Sequence, residues 1–454
     1  MADPHGLRVA FETLGCRSNY ADTIELEAAL VERGAVPTAF DSEADVYVIN
    51  TCTVTDDADK TALRLVRRAR ALSPNARIVV TGCLAETSPE LIRETGAADA
   101  VLGPGSRAKV LDAILSSDRQ EEGPSRELTK NARSKVEWRS DSMAVPMSPA
   151  VSGPGTRLGE VRTRARFHLR VQEGCENSCT FCIIPVSRGR LASRPIAAVL
   201  DDITHLEGQG YREIVLTGTH LGGYGEDAGT DLRTLLQAIS ERGGAARFRL
   251  SSLDPNDVTP GIVDIIAKNH VFCPHLHICV QAFSDSTLKR MARRYRLSEV
   301  YEIVSYIRRQ LPNGCLGSDV IAGFPGESRQ EVEQATEVFL GLPFSYLHVF
   351  PYSERRGTAA TRLDGAVSIA ERRRRTARWR SLSERRRRDF YDSLLGRELE
   401  VILESADGTR VHGTSAEFAS TLVEEASLGS WKPGEKRRLR AQSYDEVEGR
   451  IVCA

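Results

Sequence analysis

Short apolar runs alternate with amphipathic stretches along two long regions of this chain. In the first, residues 7–14, 45–50, 77–81 and 98–102 have the length and β-branched content of strands. Residues 23–33 and 58–71, between them, place apolar side chains at helical spacing. Alternating β and α predicts an open, mostly parallel sheet over residues 1–110. The alternation returns in longer units at residue 166. Strands are expected at 167–172, 213–217, 247–251, 275–281, 317–322 and 346–350, with helices such as 195–209 and 298–310 between them. Six βα units are too few for a closed eightfold barrel. They predict a partial (β/α)6 barrel over 166–393, with chemistry at the carboxyl ends of its strands.

Two stretches break the pattern. Residues 111–165 include the Ser-, Pro- and Gly-rich segment 142–156 and hold no sustained period, so they read as a linker or insertion. Residues 394–454 switch to short alternating runs at 400–403, 420–424 and 448–453, which predict a small antiparallel β-barrel. The fold class is therefore α/β in the first two domains, followed by a small all-β domain.

Composition narrows the setting. No apolar run approaches membrane-spanning length, and the opening Met1-Ala2-Asp3-Pro4-His5-Gly6 has neither the basic nor the apolar segment of a signal peptide. A cytoplasmic protein without a membrane partner is expected. The formal net charge of -1 hides one dense patch, because residues 371–390 hold ten arginines interrupted by Trp379, Leu382 and Phe390. Charge runs are commonly solvated helix faces, but this density also makes a field able to gather the phosphates of RNA. Basic residues in the linker (Arg126, Lys130, Arg133, Lys135, Arg139) are read as solvating it.

The ten cysteines carry the chemistry. Cys175, Cys179 and Cys182 stand at C-x3-C-x2-C directly after the strand at 167–172. A loop this tight folds three thiolates toward one point and ligates three irons of a [4Fe–4S] cube, leaving the fourth iron open to a small molecule. No second pair completes a structural zinc site of paired C-x2-C units. Cys16, Cys52 and Cys83 each follow a strand of the first region. In a parallel sheet those strand ends share one edge, so three cysteines far apart in sequence converge there. Their equivalent placement favours a second three-cysteine cluster over three small core residues. Cys273, Cys315 and Cys453 have no spaced partners and read as packing or surface residues. In the segment 275–281, Leu276, Ile278 and Val280 should face the outer helices. His275, His277, Cys279 and Gln281 should then face the lumen, where the histidines are read as hydrogen-bonded groups rather than metal ligands.

The C-x3-C-x2-C motif resembles that of the radical S-adenosylmethionine (SAM) enzymes, and the wider match from Gln172-Glu173-Gly174-Cys175 to Ile183-Ile184-Pro185 is similar to the methylthiotransferases. The resemblance implies a radical-SAM barrel, an amino-terminal domain whose Cys16, Cys52 and Cys83 hold an auxiliary [4Fe–4S] cluster, and a TRAM-like RNA-binding tail. It implies that SAM lies against Gly218, Gln281, Gly323 and Gly326, in Leu216-Thr217-Gly218-Thr219-His220, at the end of 275–281 and in the turn Gly323-Phe324-Pro325-Gly326. One SAM would methylate a sulfur on the auxiliary cluster. A second, on the cluster of Cys175, Cys179 and Cys182, would give the 5′-deoxyadenosyl radical. An electron donor such as flavodoxin or ferredoxin would reduce the clusters.

Gly15-Cys16-Arg17-Ser18-Asn19, Asn50-Thr51-Cys52-Thr53-Val54-Thr55 and His348-Val349-Phe350-Pro351-Tyr352-Ser353 resemble the branch acting at C2 of N6-threonylcarbamoyladenosine beside the tRNA anticodon. The branches acting on isopentenyladenosine, or on an aspartate of a small-subunit ribosomal protein, remain open at this point. So does a non-catalytic iron–sulfur electron carrier with an RNA-binding tail. One departure is visible: Gln281-Ala282-Phe283-Ser284-Asp285 stands where the family pattern is Gln-Ser-Gly-Ser/Asp.

Overall fold

The computed structural model describes residues 6–105, 107–116 and 165–454. The linker basic residues Arg126 to Arg139 lie outside them, and the helix Arg107–Leu115 runs across the expected boundary at residue 110.

The first sheet consists of β1 (Arg8–Thr13), β2 (Val36–Thr38), β3 (Val46–Thr51), β4 (Arg77–Gly82) and β5 (Ala100–Val101), in the order β2-β1-β3-β4-β5 and parallel throughout. The central strand β3 is buried along its whole length. β2 has no counterpart in the sequence reading. It is three residues long, and Pro37 is tolerated because β2 is an edge that owes no N–H to a second neighbour. Apolar side chains alternate between the two faces: Tyr47, Ile49, Ile78 and Val80 pack in one core, Val46, Val48 and Val79 in the other.

The second domain contains β6 (Phe167–Glu173), β7 (Ala192–Ser193), β8 (Glu213–Gly218), β9 (Arg247–Leu250), β10 (His275–Gln281), β11 (Cys315–Ala322) and β12 (Tyr346–Pro351). All six expected strands form, and β7 adds a short antiparallel edge to β6. β6-β8-β9 and β10-β11-β12 are parallel runs, joined through single parallel bridges at Phe248–Phe272 and Leu253–Ile278. The result is a curved partial barrel in chain order, with Leu276, Ile278 and Val280 in its outer core.

Five strands close the last domain: β13 (Glu398–Asp407), β14 (Arg410–Ser415), β15 (Ser420–Glu424), β16 (Lys436–Asp445) and β17 (Arg450–Cys453). The expected small barrel forms and is antiparallel at every pairing but one, since β15 and β17 run parallel. Two of the five strands were invisible to the period-2 search. β16 reads Lys-Arg-Arg-Leu-Arg-Ala-Gln-Ser-Tyr-Asp, with too few apolar residues to show alternation, although Ala441 is buried.

Buried ion pairs dock these domains on one another. Glu213, the first residue of β8, is fully buried between Arg247 (2.7 Å) and Arg249 (2.9 Å). Those guanidinium groups donate onward to the carbonyls of Glu400 (2.6 Å), Thr414 (3.0 Å) and Ser415 (3.0 Å) in the small barrel. Phe418 lies 4.3 Å from the ring of His275. The small barrel thus seals the amino-terminal end of the partial barrel and leaves the carboxyl end for chemistry. On the other side, Arg170 of β6 reaches Asp22 and Glu25 of the helix Arg17–Val31, each at 2.5 Å. No helix among the described residues is long and apolar enough to cross a membrane.

Candidate active site

The loop after β6 is fixed at both ends. Cys175 N–H donates to the carbonyl of Gly189 (3.2 Å), and Cys182 N–H to that of Cys179 (3.1 Å). Gln172, at the end of β6, donates to the carbonyl of Gly174 (2.7 Å) and accepts from His220 N–H (2.8 Å), which ties this loop to the end of β8. Arg293 stands 3.0 Å from Cys179 Sγ while holding Asp254 at 2.5 Å. His220 bonds Asp257 at 2.9 Å. Burial works against its charge, but the bonds to Asp257 and Cys175 prevail and raise its pKa to about 10. Burial pushes the Cys182 thiol up to about 12 and raises Cys179 as well. Those thiols stay protonated until a metal takes them as thiolates, so loading releases protons. A cleft of about 310 Å³ opens beside Cys179, lined by His220, Asp254, Asp257, Arg293 and Tyr295.

The second set is built by the sheet. Cys16 follows β1 and begins the helix Arg17–Val31, Cys52 follows β3, and Cys83 follows β4 and opens the helix Cys83–Thr87. Cys16 Sγ and Cys83 Sγ lie 3.8 Å and 4.0 Å from the same oxygen, Asn19 Oδ1. A side chain at Gly15 would place its Cβ 2.6 Å from Cys52 Sγ, and one at Gly82 would collide with the Thr51 carbonyl. Both glycines have positive φ, at 92° and 95°, so backbone and space require glycine beside the thiols. Burial pushes Cys52 up to about 12 and raises Cys83, where the Arg188 guanidinium pulls the other way. An all-sulfur donor set without a fourth cysteine suits a [4Fe–4S] cube with one open iron at each site.

Arg188 ties the second domain to the set held by the sheet. It closes the helix Ile184–Arg188 that follows Cys182, and it donates to Asn19 Oδ1 in the other domain. It also pairs with Asp22 and Glu173, both at 2.8 Å. On the lumen wall His277 bonds Asp319 through Nε2 and Tyr346 OH through Nδ1, each at 3.0 Å. Both ring nitrogens are accounted for by hydrogen bonds. Cys279 adds a 3.1 Å bond to Asp319, and His348 lies 3.5 Å from it.

Known proteins match along these same divisions. Residues 8–103 match the family described as uncharacterized protein family UPF0004, and residues 169–339 match the radical SAM superfamily. A threonylcarbamoyladenosine tRNA methylthiotransferase of Bacillus subtilis is 38% identical over 88% of this chain and 85% of its own length. The chain belongs to the radical SAM methylthiotransferases. The enzyme of the same name from Thermotoga maritima is 32% identical over 98% of this chain and 96% of its own. A tRNA-2-methylthio-N(6)-dimethylallyladenosine synthase of Nitratidesulfovibrio vulgaris is 31% identical over 88% of this chain and 87% of its own. Among solved structures, a radical SAM methyltransferase from Kitasatospora setae shares the fold, with a TM-score of 0.56 and 17% identity over 76% of this chain and 75% of that one. As a radical SAM enzyme, this methylthiotransferase uses SAM and a [4Fe–4S] cluster.

The four residues expected against SAM sit at carboxyl strand ends of this methylthiotransferase, on the same edge as the cysteine loop. Gly218 ends β8 with the Gln172 amide against it, and Gln281 ends β10 at a φ of 69°. A Cβ at Gly323 would meet Arg372 at 2.6 Å, so packing alone already requires glycine there, whereas at Gly326 only the flexible end of Arg290 stands 3.1 Å off. The departure at Ala282-Phe283 also has a packing reason. Phe283 is buried against Phe339 (5.3 Å) and Trp379 (5.7 Å), under the arginine-rich helix Ile369–Asp392. Arg188 and Arg293 were missed. Each is one of several arginines in its segment, with Arg190 and Arg194 after the first and Arg290, Arg294 and Arg296 around the second, and only the fold shows which of them lies beside a thiol. Cys273, Cys315 and Cys453 are all buried, which selects packing over surface.

Proposed function

We propose that this enzyme adds a methylthio group at C2 of N6-threonylcarbamoyladenosine next to the tRNA anticodon, with SAM and two [4Fe–4S] clusters. The observation that carries this reading is a pair of three-thiol sets on two domains docked through Arg188, which follows the Cys175–Cys182 loop in sequence and reaches Asn19 and Cys83 of the other set. Relatives named for the same modification, similar over nearly the whole chain, support the substrate. SAM and the reduced cluster, when bound, supply a methyl group and a 5′-deoxyadenosyl radical. The residues of this chain hold and orient. Cys175, Cys179 and Cys182 ligate the SAM-binding cluster, and Cys16, Cys52 and Cys83 the auxiliary one. Arg293 places positive charge beside Cys179, where a cluster carries negative charge. Gly218, Gln281, Gly323 and Gly326 border the SAM at the strand ends.

A loop nucleotide reaches such a recessed site by splaying out of its stack. Six exposed arginines of the helix Ile369–Asp392 (Arg373, Arg374, Arg378, Arg380, Arg385 and Arg387) offer phosphate contacts, as does the small barrel's β16. The linker and the chain ahead of residue 166 keep their proposed division at 1–110, 111–165, 166–393 and 394–454. The enzyme is proposed to act in the reducing cytoplasm, with flavodoxin or ferredoxin as electron donor.

Mass spectrometry of tRNA nucleosides from a host lacking this gene, with and without a plasmid copy, tests the reading. The methylthio derivative of threonylcarbamoyladenosine should vanish and return. The 31% identity to the dimethylallyladenosine synthase favours a second reading. If the isopentenyl derivative alone loses its methylthio group, that reading replaces the first.

A further inference from the structure

One wall of the lumen takes no part in holding either cluster or SAM. Along β12, Leu347 and Val349 pack in the outer core, so Tyr346, His348 and Phe350 share the opposite face, toward the lumen. Tyr346 is buried there, its hydroxyl bonded to His275 and His277 at 3.0 Å each. Nearer the carboxyl end the same face is open. The His348 side chain is 47% exposed and Phe350 is 39% exposed. An exposed ring is ordinary on an outer surface. Here it lies on a lumen wall, next to an exposed imidazole.

That imidazole is held from behind. His348 stacks on His277, with ring centres 4.7 Å apart and planes 26° apart, and lies 5.2 Å from the Tyr346 ring. Its Nδ1 stands 3.5 Å from Asp319, its neighbour across the β11–β12 pairing, which leaves Nε2 and the open ring face to the lumen. Short chains of contacts link this wall to both thiol sets. In one direction Asp319 bonds Cys279, whose carbonyl accepts from Arg293, and Arg293 stands 3.0 Å from Cys179 Sγ. In the other, β12 runs on to Ser353, whose hydroxyl accepts from Asp56 N–H, and to Arg355, which bonds Thr53 beside Cys52 (3.5 Å) and Asp59 (2.5 Å).

A purine that reacts at C2 must come within reach of both sets. Once splayed from its loop, its flat faces lose the neighbours they stacked on, and aromatic side chains are the usual replacement. The proposed SAM contacts lie at the ends of β8, β10 and β11, which leaves β12 to the substrate. We infer that His348 and Phe350 form the seat for the target adenine, whose face rests on their rings. The inference rests on the function proposed above. Such a seat reads the ring rather than the arm at N6.

The test uses the cluster-loaded enzyme and labelled anticodon stem-loop RNAs carrying either threonylcarbamoyladenosine or an abasic residue at the target position, with affinity read by fluorescence anisotropy. Wild type should prefer the RNA that keeps its base by roughly 5- to 100-fold, the range for stacking a base on aromatic side chains. Phe350→Ala and His348→Ala should each narrow that margin by weakening the first RNA alone, with unchanged iron content, and Phe350→Tyr should keep it. Equal binding of the two RNAs by wild type overturns the inference without recourse to any variant. So do alanine variants that keep the full margin, or that weaken both RNAs alike, which would make the rings structural. SAM binding is measured on the same proteins. A Phe350→Ala enzyme that keeps the margin and loses SAM assigns the ring to the cofactor and overturns the inference as well. Failure of wild type to methylthiolate the threonylcarbamoyladenosine RNA sinks the proposed function itself. Normal turnover without a base margin sinks only this inference.

Discussion

The two three-thiol sets have the same composition and opposite construction. Cys175, Cys179 and Cys182 belong to one loop, braced by Gln172 near the end of β6 and by Thr180, which donates to the carbonyls of Met291 and Arg290 in the same domain. Cys16, Cys52 and Cys83 belong to three strands, and each thiol arrives at the site because β1, β3 and β4 are parallel and in register. The first set is a local property of the chain. The second is a property of a folded sheet and of its docking, since Asn19 and Arg188 meet across the domain boundary. Damage to the sheet or the boundary should therefore empty the distributed site and spare the local one.

Removing a ligand from each gives the largest contrast. Cys179→Ala should abolish both SAM cleavage and product. Cys16→Ala should abolish product while 5′-deoxyadenosine still forms under dithionite. Each variant should lose roughly half of the iron, the share of one cube in two. Product formation by Cys16→Ala would end the case for an auxiliary cluster.

Next in size is the boundary itself. Arg188→Met leaves Asp22 and Glu173 short of a buried partner, a change that costs about 3–5 kcal/mol. Iron loss and chemical denaturation, followed together, should show the auxiliary iron leaving at lower urea than the radical-SAM iron. Simultaneous loss would mean that the two sites share one cooperative unit and that the contrast is only in sequence.

The same contrast explains what the sequence made legible. C-x3-C-x2-C announces itself because spacing and geometry coincide. The distributed set was legible only through the strand ends that precede its cysteines. The helix Arg17–Val31 was expected six residues later because its first turns bury Ser18, Asn19 and Asp22 instead of an apolar stripe. Polar residues that face a neighbouring domain look solvent-facing in a periodicity search. β16 was hidden for the same reason, and so were the inward-facing arginines of the run. In that run Arg375 pairs with Glu327 at 2.7 Å, and Arg386 donates to the carbonyls of Leu340 and Leu342.

A smaller effect is expected at the second docking contact. Arg355, in the loop after β12, bonds Asp59 at 2.5 Å and also reaches Asp56 at the start of the helix Asp56–Leu72. Asp56 is 63% exposed, so solvent replaces much of what is lost, and Arg355→Leu should cost about 1–2 kcal/mol. Hydrogen exchange should quicken across residues 52–59 while the loop 174–182 stays as protected as in wild type. Quickening in both places would tie the local loop to the sheet after all.

The smallest effect separates arginines that look alike in sequence and should leave both thiol sets intact. An exposed arginine on the helix Ile369–Asp392, such as Arg378 or Arg385, has its charge free for phosphate. Arg378→Ala should weaken tRNA binding modestly and reduce the slope of log affinity against log salt by about 1, the contribution of one released counterion. Arg375→Ala should leave that slope alone and lower stability instead, because its guanidinium is committed to Glu327 and Glu371. Neither change should alter iron content or SAM cleavage. If Arg378→Ala leaves the slope unchanged, this helix face does not touch the RNA, and the phosphate contacts must be sought on the small barrel, where Arg438 and Arg440 of β16 are exposed.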